Sequence, residues 1–119
     1  MENIVVSGCK FSVNNIPFGG VSITSPASTK TCDNKAAYSG DISIAVSDWV
    51  DEKIAKGTGK GIISGSAKTT KIDDKNAVLE NDSCKVILSG VDPKTGTPVS
   101  DVTVTVKITD AGQRKVKGV

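Results

Sequence analysis

At 119 residues the chain has room for one domain with a modest core. Hydrophobic residues make up 37% but aromatic ones only 3%, so the core must be built from Val, Ile, Leu and Ala around Phe11, Phe18, Tyr38 and Trp49. The net charge of +2 comes from 15 basic and 13 acidic residues that are interspersed, which excludes the basic stripe a nucleic-acid backbone requires, and no apolar run nears the roughly 20 residues of a membrane-spanning helix.

The opening MENIVVSGC has neither the basic head nor the long apolar stretch of a secretory leader, so the expectation is a protein made in the cytoplasm. Ile4-Val5-Val6 and Phe11-Ser12-Val13 read as short strands around Ser7-Gly8, followed by a loop over Asn14-Asn15-Ile16-Pro17. The chain then repeats itself. At an offset of 41, Gly20, Ser25, Thr29, Lys30, Asp33, Ala36 and Asp41 fall on Gly61, Ser66, Thr70, Lys71, Asp74, Ala77 and Asp82. The two copies span about 19–43 and 60–84, and each reads as a hairpin with its tip at Asp33-Asn34 or Asp73-Asp74, residue types that tolerate a left-handed backbone. Between the copies, SDWVDEKIAKGTGKG admits a turn and a half of helix capped by Ser47 or Asp48, or a strand with Trp49 and Ile54 inward. Gly57, Gly59 and Gly61 argue for an exposed loop. A C-terminal hairpin over about 85–109 is marked by the Asp92-Pro93-Lys94-Thr95-Gly96 turn and by Val102, Val104, Val106 and Ile108 alternating with Thr103, Thr105 and Lys107. Residues 110–119, with Arg114, Lys115 and Lys117, read as a solvated basic tail. The sum is one all-β domain of consecutive short hairpins with little or no helix.

Chemistry is scarce along this chain. It has no histidine, the commonest general base and metal ligand. Gly57-Thr58-Gly59-Lys60-Gly61 lacks the spacing of a phosphate loop, and Asp33, Asp41, Asp73, Asp74 and Asp82 stand at turns, where backbone bonding explains them. No enzyme is expected, and no small-molecule substrate. Cys9, Cys32 and Cys84 are the remaining candidates. They form no CxxC pair and read as three buried thiols, as one disulfide with a free thiol, or as ligands of a metal ion, zinc or iron, that would need a fourth ligand.

Asp73-Asp74-Lys75-Asn76-Ala77-Val78-Leu79-Glu80-Asn81-Asp82 resembles the segment that names the proline-alanine-alanine-arginine (PAAR) repeat family, with Lys75, Ala77 and Asp82 matching outright. Gly61-Ile62-Ile63-Ser64-Gly65-Ser66 is similar to that family's Gly-x-Ile-x-x-Gly-Ser bend, and the first copy offers Lys35-Ala36-Ala37-Tyr38 and Gly40-Asp41 at the corresponding places. The resemblance covers about half the chain, from Gly19 to Cys84. It implies a small conical β-domain of hairpins in an approximately threefold arrangement, which caps and sharpens a trimeric β-helical spike in type VI secretion systems, contractile phage tails and related particles. One tip would sit on each spike trimer, be carried outward from the cytoplasm and touch the target membrane only transiently.

In that family a metal near the point is held mostly by histidines with a cysteine. Cys84, two residues after Asp82, takes over one such place, and Cys9 lies in the early segment where another ligand belongs, whereas Cys32 matches no family ligand. The absence of histidine departs from the family pattern. A small immunoglobulin-like β-sandwich acting as an adhesive or carbohydrate-binding surface module is the alternative, since PVSDVTVTVKI suits a late sandwich strand, although the Cys-Trp-Cys spacing of antibody-type domains is missing.

Overall fold

Thirteen strands and no helix account for the regular structure in a computed structural model that describes residues 2–118. In chain order they are β1 (Glu2–Asn3), β2 (Lys10–Val13), β3 (Ile16–Pro17), β4 (Val21–Ile23), β5 (Thr31–Cys32), β6 (Lys35–Ala36), β7 (Asp41–Trp49), β8 (Ala55–Ser64), β9 (Lys71–Ile72), β10 (Lys75–Asn76), β11 (Ser83–Val91), β12 (Pro98–Asp110) and β13 (Lys117–Gly118). The all-β expectation holds. The body is elongated, 48 × 22 × 20 Å, because β7, β8, β11 and β12 lie alongside one another.

Seven strands form one antiparallel sheet in the order β3-β2-β12-β11-β8-β7-β4. Its inner face follows from period-2 sequence: Ile42, Ile44 and Val46 of β7, Val86 and Leu88 of β11, and Val102, Val104, Val106 and Ile108 of β12 are buried, while the Ser, Thr and Lys residues between them are largely exposed. The sheet curls into a half-barrel that brings Phe11 of β2 and Val21 of β4 to one groove at its seam.

The curl has an identifiable cause in β8. Gly57, Gly59 and Gly61 occupy successive inward positions of this strand and form no exposed loop. A Cβ on Gly59 would stand 2.4 Å from the Ile87 carbonyl and 2.9 Å from Val86 Cγ1, so the neighbouring strand fills the space that side chains would take. The helix considered for this region is absent as well. β7 continues through Trp49, and Asp51 closes the turn by accepting bonds from Lys53 N (2.7 Å), Ile54 N (3.0 Å) and Trp49 Nε1 (3.0 Å). Trp49 is buried against Phe18, with ring centroids 5.0 Å apart and planes at 84°.

The segment expected as a solvated tail is packed instead. Ala111 and Gln113 are buried, and β13 pairs with β1, placing Gly118 opposite Glu2 and Lys117 opposite Asn3. Gln113 explains why: its Nε2 donates to Ile4 O (2.8 Å) and Val116 O (2.7 Å), and its Oε1 accepts from Lys115 N and Val116 N, both at 2.8 Å. One amide thus bonds four backbone groups, of which Val116 O also accepts from Ile4 N (3.1 Å). Val119, the last residue of that expected tail, lies outside the described residues.

Two apolar clusters result. The larger fills the half-barrel. The smaller, made of Ile4, Val6, Cys32, Ala37, Ala67, Ile72, Ala77 and Leu79, lies beneath the short ribbons β5-β6, β9-β10 and β1-β13.

Candidate assembly surface

The two clusters are separated by a floor of three short segments, residues 4–6, 37–39 and 77–79. Each bridges both of the others, because Val6 pairs with Ala37, Ser39 with Ala77 and Leu79 with Ile4. The hydrogen bonds run round the same triangle. Tyr38 N donates to Val5 O (3.0 Å), Val78 N to Tyr38 O (3.1 Å), and Val5 N to Val78 O (2.8 Å). A second ring encloses the first: Ser7 N to Ala36 O (2.9 Å), Gly40 N to Asn76 O (2.8 Å) and Glu80 N to Asn3 O (2.9 Å).

Strand alternation explains the floor's two faces. The central residues Val5, Tyr38 and Val78 pack toward the half-barrel, while the flanking Ile4, Val6, Ala37, Ala77 and Leu79 pack toward the ribbons. A left-handed residue follows each segment, Gly8 (φ 89°), Gly40 (φ 69°) or Asn81 (φ 77°), and turns the chain into β2, β7 or β11. The chain is therefore a threefold repeat, of which the sequence alignment displays two copies.

Each copy carries a ribbon of the same register. Cys32 pairs with Lys35, Ile72 with Lys75 and Gly118 with Glu2. The tips Asp33-Asn34 (φ 53° and 63°) and Asp73-Asp74 (φ 54° and 63°) have two successive left-handed residues, as the expected hairpin turns require. These tips stand 40 positions apart, whereas Gly40-Asp41 and Asn81-Asp82 stand 41 apart. The additional residue in the second copy lies between them, next to Glu80, whose Oε1 accepts from Ala111 N (3.1 Å) and braces the C-terminal segment. The third ribbon joins the two ends of the described chain.

Charged side chains tie neighbouring copies together. Ser28 Oγ donates to Asp73 at the next ribbon's tip, Lys115 Nζ lies 3.4 Å from Asp33 Oδ1, and Lys35 Nζ donates to Gly112 O (2.7 Å). Asp82 serves the floor itself, accepting from Leu79 N (2.8 Å), Ser66 N (3.2 Å) and the Ser66 hydroxyl. Asp41 accepts from Ser64 Oγ (2.7 Å). The turn aspartates thus have structural work, as their positions in the sequence suggest.

The three candidate thiols occupy separate surroundings. Cys9 borders the half-barrel core near the seam, Cys32 lies in the ribbon core, and Cys84 on β11 packs beside the inner face of β8. Burial pushes the Cys9 thiol up to about 11, with the nearby Asp110 charge acting in the same direction against a backbone hydrogen bond; burial also raises Cys32 and Cys84. All three are free thiols, and among the described residues no three Cys, Asp or Glu side chains are grouped to hold a metal ion. Cys9, Cys32 and Cys84 are thus not brought together in one group, and each packs in a different apolar setting.

At the barrel seam, Cys9, Phe11, Pro17, Phe18 and Val21 line an open apolar groove of about 570 Å³, rimmed by Lys10 and Thr109. Comparison with protein-family models, with curated proteins and with solved structures returns no match.

Proposed function

We propose that the chain is a structural, non-enzymatic tip that caps a trimeric β-helical spike of a contractile injection particle. The cyclic floor of residues 4–6, 37–39 and 77–79 carries this reading. A trimeric β-helix ends in three equivalent strand ends with unpaired backbone groups, and a single chain with three near-equivalent units can offer each of them a similar surface. The PAAR-like residues make shape under this reading. Ala77 is a small residue where the floor meets the ribbon core, Lys75 follows the ribbon turn, and Asp82 fastens the floor to Ser66.

Rigidity is the second support. A floor bonded in closed rings between two apolar clusters has no free strand edge at its centre, so it resists shear better than an open ribbon. Co-expression with a trimeric β-helical spike fragment tests the reading. Co-elution in size-exclusion chromatography is expected; separate elution, together with binding to immobilised glycans, would favour an adhesive module instead.

A further inference from the structure

The two ends of the molecule differ in symmetry and in charge. The ribbon end repeats threefold in register and hydrogen bonding, whereas the barrel end does not, since the β2-β3 hairpin is far shorter than β7-β8 and β11-β12. The ribbons and the segments leading into them carry Lys30, Lys35, Lys68, Lys71, Lys75, Arg114, Lys115 and Lys117, all exposed, against Glu2, Asp33, Asp73 and Asp74. The far tips reverse this balance, with Asp48, Asp51, Glu52, Asp92 and Asp101 set against Lys53, Lys56 and Lys94. A net charge of only +2 hides this separation.

Resting on the spike-tip reading, we infer that the chain docks through its ribbon end, onto an acidic, threefold-symmetric partner surface, with the β7-β8 and β11-β12 tips pointing away. Threefold matching fixes the orientation, and the lysines of neighbouring ribbons meet equivalent acidic groups on successive partner subunits. Lys71 and Lys117 occupy equivalent ribbon positions with Thr31 at the third, and Lys35 and Lys75 belong to a second such set, so each row places cations at two of its three positions around the axis. Glu2 stands at the third place of the second row. Association is consequently faster and tighter at low ionic strength.

The test measures binding of the full chain to a trimeric β-helical spike fragment by surface plasmon resonance at two salt concentrations, with thermal melting to confirm that every variant folds. Lys75→Glu combined with Lys117→Glu is expected to weaken binding by about tenfold and to flatten its salt dependence, while Lys53→Glu combined with Lys94→Glu at the far tips leaves it within about twofold. An equal or larger loss from the far-tip pair overturns the docking face while leaving the spike-tip reading intact. Failure of the wild-type chain to bind any such spike overturns both. Loss of binding to anionic phosphatidylserine vesicles in the ribbon variant, with spike binding unchanged, overturns it in favour of a membrane-facing ribbon end.

Discussion

Asp51 shows how one side chain can organise a turn and make it sensitive to pH. Burial alone would raise its pKa, but hydrogen bonds from Trp49 Nε1, Lys53 N and Ile54 N, with the Lys53 charge, outweigh that and hold it below the usual carboxylate range. The folded value lies below the unfolded one, so this stabilisation is present above the unfolded pKa and is lost as pH falls through the folded value. Asp51→Asn is expected to cost about 1 kcal/mol at pH 7, since the turn is partly exposed, and to lose part of the acid-dependent decline in melting temperature. Gly59 acts through what it lacks. Gly59→Ala places a methyl against the Ile87 carbonyl and should destabilise by about 1–3 kcal/mol in chemical denaturation, while the outward Lys60→Ala on the same strand changes stability by less than about 0.5 kcal/mol. In sequence the glycines of β8 signal a loop, because spacing alone does not distinguish a flexible link from a strand that must leave room for its neighbour.

Short elements here depend on what they pair with. The hairpin tips were legible because Asp33-Asn34 and Asp73-Asp74 carry residue types that left-handed turns select. Asp74→Gly removes the strain of a left-handed side-chain-bearing residue and should stabilise the ribbon by about 0.5–1 kcal/mol, seen as a higher melting temperature. The third ribbon was not legible, since β1 and β13 lie at opposite ends of the sequence and residues 4–9 share only Val5 with Val78 when set against 77–82. The apolar triplet followed by a turn former, Ile4-Val5-Val6-Ser7-Gly8, is the one sequence signal that could have found it. The packed C-terminal segment was missed for a related reason: a basic composition reports exposed side chains and is silent about a buried glutamine among them. Gln113→Leu removes the side-chain partner of Ile4 O, Lys115 N and Val116 N and should cost about 2–3 kcal/mol. In hydrogen exchange the Ile4 amide, bonded to Val116 O, should lose protection before Val86 or Val104 in the barrel.

At the scale of the whole molecule, the fold class and both hairpin copies follow from composition and period-2 patterning, whereas the cyclic floor follows from long-range backbone pairing that no local pattern encodes. That floor makes near-equivalent units of two related segments and a third that resembles neither in sequence, and a chain so built has a physical reason to meet a threefold partner. The three thiols, by contrast, are candidates by residue type alone and lie in separate packing environments. The most direct measurement of the central claim is the stoichiometry of the complex between this chain and a trimeric β-helical spike fragment, read from its mass by light scattering after size-exclusion chromatography. One chain per spike trimer is the predicted result, with the ratio unchanged when the chain is in excess; three chains per trimer, or no complex at all, would contradict the account.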